Sequence, residues 1–323
     1  MRIGIIGGAG YTAGELLRLL LNHPEAEIAF VQSSSHAGCP VAEVHEGLIG
    51  ETSLCFTDKA PLRGVDILFF CQGHGKSREF LDTHRVPKNA KIVDLAQDFR
   101  LKETAGDFVY GLPELNRAAI AAAQHVANPG CFATCIQLGL LPLASNWLLL
   151  KDITVNAVTG STGAGVKPTA TTHFSWRQNN LSVYKAFQHQ HVPEIRQSLA
   201  QMQPGFKAAV DFIPWRGDFA RGIFATAVVD LGQVIPYDDL VGLYKTFYAD
   251  AAFTHYSDTD IDLKQVVNTN KCLVHIQQSG TKVLVTSVID NLLKGASGQA
   301  VQNMNLMTGL PEDTGLRLKA SAF

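Results

Sequence analysis

The run Gly7-Gly-Ala-Gly10-Tyr-Thr-Ala13-Gly14 constrains this chain more than any other segment. It follows an apolar strand, Ile3 to Ile6, and leads into Glu15-Leu-Leu-Arg-Leu-Leu-Leu21, a helix that Asn22-His-Pro24 stops. Ala26 to Gln32 is then a second buried strand. In a strand–turn–helix–strand unit, glycines let the backbone approach a pyrophosphate, and the helix start offers free N–H groups and a positive dipole end. The segment therefore predicts a dinucleotide site. An Asp or Glu at the end of the second strand would bond the ribose hydroxyls of NAD, but here the chain reads Gln32-Ser-Ser-Ser-His36. Hydroxyls and a histidine suit a 2′-phosphate better, so NADP is the expected cofactor.

The alternation continues through Val65–Phe70 (strand), Ser77–His84 (helix), Lys91–Leu95 (strand), Glu114–Gln124 (helix) and the short strand His125–Ala127. Strands alternating with helices give a parallel sheet covered on both faces, here a Rossmann-type doubly wound α/β domain. Beyond about residue 150 the rhythm changes. Ile153–Val158, Lys207–Ile213, Gly222–Asp230, Cys272–Gln277 and Lys282–Ile289 read as strands, and Gln278-Ser-Gly-Thr281 as a hairpin turn. With helices near 194–202 and 238–249, this half predicts a separate α+β domain with a mostly antiparallel sheet. The expected division of the 323 residues is 1–130 for the cofactor and 131–295 for catalysis, with 296–323 returning to the first domain through a helix at Gly298–Leu306.

Charge and composition exclude several function classes. Twenty-seven Lys and Arg face 29 Asp and Glu, a net charge of −2, which leaves no electrostatic footprint for nucleic acid or an anionic membrane. The most apolar stretch, Ile136 to Leu150, contains Gln137, Pro142, Ser145 and Asn146 and falls short of the roughly 20 apolar residues of a membrane span. The glycine-rich start lacks the layout of a secretory signal, so a cytoplasmic location is expected. Six cysteines without a CxxC pair suit neither a disulfide scaffold nor a zinc site, and a small-molecule partner is the default.

One of those cysteines reads as a nucleophile. In Asn128-Pro-Gly-Cys131-Phe-Ala-Thr-Cys135, a strand passes through a Pro-Gly turn into an apolar helix that starts near Cys131. The helix dipole then favours a thiolate there, whereas Cys135, one turn on among apolar residues, reads as a buried inert thiol. His189-Gln-His191-Val-Pro-Glu194 places two histidines on one side of a segment expected to be extended, and either suits a proton carrier. No third ligand lies at the usual spacing for zinc, so no metal is expected. Because His191 is nearer the helix that Pro193 opens, it is the expected carrier, and His189, one strand repeat or roughly 6–7 Å away, the expected substrate contact. Asp98-Phe-Arg100 follows a strand at the sheet's carboxyl edge, where a guanidinium clamps an anion. The loop Gly160-Ser161-Thr-Gly-Ala-Gly165 is a second anion cradle, or a plain loop.

Together these segments resemble the N-acetyl-gamma-glutamyl-phosphate reductase family of the semialdehyde dehydrogenase superfamily. The likeness rests on Gly7–Glu15, Asp98-Phe-Arg-Leu101, Tyr110-Gly-Leu-Pro-Glu114, Asn128-Pro-Gly-Cys131, His189–Glu194 and Asp290-Asn-Leu-Leu-Lys-Gly-Ala-Ser-Gly-Gln-Ala300. The resemblance implies an arginine-biosynthesis enzyme that reduces an acyl phosphate through a cysteine thioester and works as a homo-oligomer, a dimer or tetramer. It implies Cys131 as nucleophile, a histidine of the His189–His191 pair as acid/base, and Arg100 and Asn128 near the substrate; Ser161 and Glu194 are further expected substrate contacts. NADP would lie on Gly7, Gly10, Tyr11, Thr12 and Ala13 and on Ser33, Ser34 and Ser35. Ala13 stands where the family often has Gly, the serine run lacks a common Arg, and Val166-Lys167 follows the glycine loop where members commonly have Arg. An aspartate-semialdehyde dehydrogenase-like enzyme is the nearest alternative, and a non-catalytic NADP-binding redox sensor is the alternative from another class.

Overall fold

The computed structural model describes residues 1–321. Contacts divide the chain into two units, Met1–Pro129 with Ala296–Arg317, and Gly130–Gly295 with residues 318–321. The segment expected to return to the first domain, 296–323, is thus divided after Arg317, and residues 322 and 323 lie outside the described residues.

In chain order the first stretch carries β1 (Arg2–Ile6), α1 (Tyr11–Leu20), β2 (Glu27–Gln32), the short α2 (Val41–Val44), β3 (Phe56–Thr57), β4 (Ile67–Phe70), α3 (Lys76–Thr83), β5 (Lys91–Asp94), β6 (Val109–Tyr110), α4 (Pro113–Ala122) and β7 (His125–Ala127). The second unit carries α5 (Cys131–Ser145), β8 (Ile153–Thr159), the short α6 (Phe174–Arg177), β9 (Ser182–Val183), α7 (Val192–Met202), β10 (Val210–Arg216), β11 (Ile223–Asp230), α8 (Tyr237–Phe247), β12 (Thr254–Tyr256), β13 (Cys272–Ser279) and β14 (Lys282–Ile289). α9 (Gly298–Met307) belongs to the first unit.

All seven strands of the first sheet run parallel, in the order β3-β2-β1-β4-β5-β7-β6. Ile3, Ile5 and Ile6 of β1 and all of β4 are buried, as strands covered on both faces must be. The order reverses direction at β1 and β4, so the crevice at their carboxyl ends is a topological switch point. α1 begins at Tyr11, four residues before the leucine-rich run that announces it, because Gly10 ends the turn in an extended conformation. α9 packs on α1 and α4, and the buried His23 ring and Asn305 Oδ1 lie 3.0 Å apart.

The second sheet also has seven strands, in the order β12-β13-β14-β11-β8-β10-β9. Neighbours are antiparallel except β8 with β10 and β12 with β13. β9 and β12, of two and three residues, are too short to show a period in sequence. The hairpin turn lies where it is expected: Ser279 pairs with Lys282, and Gly280 takes the positive φ of 60° that the turn requires. β8, β10 and β11 alternate buried and half-exposed residues, so one face is covered and the other is not.

α5 is buried from Phe132 to Ala144, and each Leu or Phe so placed stabilises the unit by about 1.5–3 kcal/mol. Pro142 lies inside this helix and has no N–H for the Leu138 carbonyl one turn earlier. The Tyr248 hydroxyl donates to that carbonyl instead, and the Tyr244 hydroxyl donates to Gly139 O at 2.9 Å. The proline is tolerated because a neighbouring side chain replaces the missing bond.

Candidate active site

The glycine turn of the first unit is built for close approach. Gly7 has φ +83°, and a Cβ there would stand 2.7 Å from Gln72 Cγ. One on Gly8 would stand 2.3 Å from Val31 Cγ1, and one on Gly14 would stand 2.6 Å from the His45 ring, which bonds Gly8 O at 2.7 Å. Gly10 faces open space, where a ligand backbone can come close. The amides of Gly7 and Gly8 both donate to Gln32 O, fixing the turn to the end of β2. α1 has no side-chain cap and no acidic residue in its first turn, so the amides after Tyr11 and Thr12 point at the turn uncompensated. Ala13 is fully buried and offers only its backbone.

Ser33 is buried, with Oγ 3.3 Å from Ser35 Oγ and 3.4 Å from His36 Nδ1, whereas Ser34 and Ser35 are exposed. At Gln32, just before them in the chain, a cavity of about 550 Å³ is lined by Gln32, Lys59, Gln72, Phe80 and His84 together with the carboxylates Asp58 and Glu79, the latter paired with Lys76. Phe80 and His84 stack at 4.0 Å, and Gln72 Oε1, buried in this wall, has no donor among the described residues. A glycine cradle, a bare helix start and an orphaned acceptor beside an apolar-backed cavity fit a dinucleotide.

Two expected substrate contacts, Arg100 and Asn128, make hydrogen bonds within the first unit. Arg100 is 5% exposed, and its Nε and Nη2 donate to the carbonyls of Asn128 and Leu95, each at 2.8 Å. Asn128 is 1% exposed; its Nδ2 donates to Ala296 O and its Oδ1 accepts from Asn303 Nδ2, both at 3.0 Å. Both residues therefore brace the chain that leads to Cys131, because buried polar groups take the partners that folding brings within reach. Nearby, burial pushes the Asp94 carboxyl up to about 6, and the Ser77 hydroxyl donates to it at 2.6 Å. Burial likewise pushes the Cys71 thiol up to about 12.

In the second unit Cys131 is the first residue of α5, after the extended Gly130. The first helical bond runs from Thr134 N to Gly130 O, so the amides of Cys131, Phe132 and Ala133 precede the helical ladder and favour negative charge at the sulfur. Glu194 Oε2 accepts the Gly130 amide at 3.0 Å, and Glu194 is 2% exposed. Its carboxylate thus fixes the turn before Cys131. His191 lies over the same glycine: a Cβ at Gly130 would stand 2.3 Å from His191 Nε2, and that nitrogen is 3.9 Å from Glu194 Oε1.

The 189–191 segment is a turn, not an extended strand, so the histidines are not spaced along one line. His191 has helical backbone angles, its amide donates to His189 Nδ1 at 3.2 Å, and the rings lie 4.7 Å apart at 76°. His189 is enclosed by Phe132, Phe212 and Tyr184. Burial first, then the charge of His191, lowers its pKa to about 3, which keeps it neutral. Cys135 is fully buried, its Sγ 3.3 Å from Ser287 O, and burial pushes its thiol up to about 12. Ser161 follows β8 with its amide on Phe219 O at 2.8 Å.

Three further residues at this site carry no local sequence signal. A Cβ at Gly295 would stand 2.9 Å from Cys131 Cβ, so this glycine forms a wall against the nucleophile. Tyr184, whose phenol is raised by burial and by charge at Cys131, meets His189 edge-on with centroids 5.9 Å apart. The Arg216 guanidinium carbon sits 4.7 Å over the Tyr184 ring. Tyr184 and Arg216 come from strand ends 85 or fewer residues away, and only the β9–β10 pairing brings them together.

The fold and these two sites define the class. Residues 2–123 match the family model "Semialdehyde dehydrogenase, NAD binding domain", and residues 131–291 match "Semialdehyde dehydrogenase, dimerisation domain". The aspartate semialdehyde dehydrogenase II of Vibrio cholerae has the same fold, with TM-score 0.71 at 16% identity over 95% of this chain and 98% of that one. So does the NADP-bound aspartate semialdehyde dehydrogenase of Candida albicans, with TM-score 0.72 at 13% identity over 95% and 98%. Relatives named N-acetyl-gamma-glutamyl-phosphate reductase are 64% identical in Bacteroides thetaiotaomicron and 58% identical in Parabacteroides distasonis, each over 100% of both chains. The chain belongs to the N-acetyl-gamma-glutamyl-phosphate reductase family of the semialdehyde dehydrogenases.

Proposed function

We propose that this protein reduces N-acetyl-gamma-glutamyl phosphate to N-acetylglutamate 5-semialdehyde and phosphate, with NADPH, in arginine biosynthesis. The observation that carries this reading is Cys131 at the bare start of α5, with His191 seated on Gly130 and Glu194 holding the Gly130 amide. Residues 1–130 and 131–295 divide the work into cofactor binding and covalent chemistry.

The Cys131 thiolate attacks the acyl carbonyl, the C–O bond to phosphate breaks with its electron pair, and a thioester remains on sulfur. When bound, NADPH supplies a hydride to the thioester carbon. His191 gives a proton to the resulting oxyanion, while amides at the start of α5 offset its charge. Collapse returns that proton, expels the thiolate and releases the aldehyde. His189, neutral and enclosed, positions His191 through its Nδ1. Ser161, at the carboxyl end of β8, is assigned to the substrate, and Arg100, Asn128 and Glu194 are positioning residues.

Gly7, Gly10, Tyr11, Thr12 and Ala13 hold the pyrophosphate through backbone amides, and Ser34 and Ser35, exposed and shortly after Gln32 of the cavity wall, meet the ribose end with Ser33 behind them. The working form is a homo-oligomer, and the half-exposed Val158 and the exposed Val228, on the less covered face of the second sheet, are placed in its contact. Among the described residues no helix is long and apolar enough to cross a membrane. The proposed compartment is the cytoplasm, where free thiols such as Cys131 stay reduced.

The test is phosphate-dependent reduction of NADP with a panel of aldehydes: N-acetyl- and N-succinylglutamate semialdehyde and aspartate semialdehyde. Turnover of an N-acylglutamate semialdehyde that needs phosphate is expected. Faster turnover of aspartate semialdehyde assigns the related enzyme instead, and NADPH binding without any turnover assigns a sensor.

A further inference from the structure

The reaction proposed above needs a group that recognises the α-carboxylate of the glutamyl substrate, and two donors of Arg100, on Nε and Nη2, are engaged with backbone carbonyls. We propose that Arg216, at the carboxyl end of β10, binds this α-carboxylate and thereby selects glutamyl over carboxylate-free acyl substrates. The inference rests on the reading of Cys131 as the nucleophile.

Register puts Arg216 and Cys131 at the same end of the second sheet. Arg216 pairs with Thr159, Thr159 with Ile223, and Ile223 with Ile289. Cys131 abuts Gly295, whose amide donates to the carbonyl of Asp290, the residue just after Ile289. Along β10 the inward face reads Val210, Phe212, Pro214, Arg216, and Phe212 touches both Phe132 and His189, so Arg216 extends the row that lines the site. Tyr184 links the two groups: its ring meets His189 edge-on with centroids 5.9 Å apart and lies 4.7 Å from the Arg216 guanidinium carbon.

The hydrogen-bonding inventory singles out the same residue. Arg177 donates to Thr171 O, Asn180 O, Arg216 O and Ser182 Oγ, and Arg221 is gripped by both carboxylate oxygens of the buried Asp290. Arg216 hydrogen-bonds the Tyr184 phenol, but its Nε is buried without an acceptor among the described residues, and the hydroxyl of its paired residue Thr159 is likewise buried without a partner among them. Two orphaned polar groups on one strand row, one of them a cation, suit a carboxylate. In an extended glutamyl chain four C–C bonds, about 5 Å, separate the carboxylate carbon from the reacting carbon. The Arg216 guanidinium carbon is 4.7 Å from the Tyr184 ring centroid, and that ring is 5.9 Å from the His189 ring.

The test compares N-acetylglutamate 5-semialdehyde with 4-acetamidobutanal, which lacks only the carboxylate, in wild type, R216A and R216K. Wild type is expected to favour the first in kcat/KM by about 100-fold or more, as a site built to bond a polar group rejects the analogue lacking it. R216A should raise KM for the first by about 100-fold, leave 4-acetamidobutanal and NADPH affinity unchanged, and erase the preference, with R216K recovering part of it. Independently, N-acetylglutamate should slow iodoacetamide alkylation of Cys131 in wild type and R216K but not in R216A. A preference or a protection that survives in R216A overturns the proposal. Absence of turnover by wild type with both aldehydes overturns the reaction itself, and the alkylation arm then still decides Arg216.

Discussion

Replacing Gly130 with alanine tests the seating of His191, the proposed proton carrier. The backbone at Gly130, φ −69° and ψ 150°, is open to alanine, so the perturbation is the methyl group alone. That methyl would stand 2.3, 2.5 and 2.7 Å from Nε2, Cε1 and Cδ2 of His191, where ordinary contact begins at 3.4 Å. The ring must therefore retreat by 3.4 − 2.3 = 1.1 Å at its nearest atom. His189 and Phe132 stand close by with centroids at 4.7 and 6.3 Å, so the shift overpacks the pocket, at about 1–3 kcal/mol of stability. A displacement of about 1 Å in a catalytic group lowers the rate by about 100-fold. The expected result is a folded Gly130→Ala protein with kcat reduced about 100-fold in the phosphate-dependent assay and unchanged NADPH affinity. In a His191→Ala background the same methyl has no ring to displace and should add little further loss. Activity within about threefold of wild type, or a full additional loss in the His191→Ala background, would refute the argument.

Cys131→Ser should abolish turnover while NADPH fluorescence titration stays near normal, whereas Cys135→Ser should cost stability at most; a dead but folded Cys135→Ser would show the wrong cysteine was chosen. His191→Asn should lower kcat and flatten the acid limb of the rate profile, and two unaffected histidine variants would remove the pair from the chemistry. His189 binds its proton near pH 3 when folded and near 6.5 when unfolded, so its contribution lowers stability as pH falls from about 6.5 to 3. Asp94, raised to about 6, acts in the opposite sense between about 3.8 and 6, so the test is a difference: urea midpoints of His189→Gln should fall less steeply with acid than those of wild type, and parallel curves would contradict the buried neutral ring. Ser34→Asp, at the exposed serine rather than the buried Ser33, should shift the NADP to NAD ratio of kcat/KM toward NAD, and an unchanged ratio would place the ribose elsewhere.

The sequence by itself determined what depends on neighbours along the chain. The apolar runs at Ile3–Ile6, Ile67–Phe70 and Ile92–Val93 could only be covered parallel strands, and Gly7 to Gly14 could only be a turn that opens onto a helix start. The place of Cys131 at the amino end of α5, on which its proposed role rests, was legible because it is itself a local property. The partners of each polar side chain were not legible, since hydrogen bonds form with whatever the fold brings within 3 Å or so, regardless of separation in sequence. Arg100 and Asn128 thus became braces, Glu194 a support for Gly130, and His189 a neutral neighbour of His191 once the expected strand became a turn. Tyr184, Arg216 and Gly295 entered the site only through the register of β8, β9 and β10 and the approach of the Asp290 turn. Periodicity fixes which elements form and which face is apolar; only packing decides which of the polar groups at their ends remain open to a substrate.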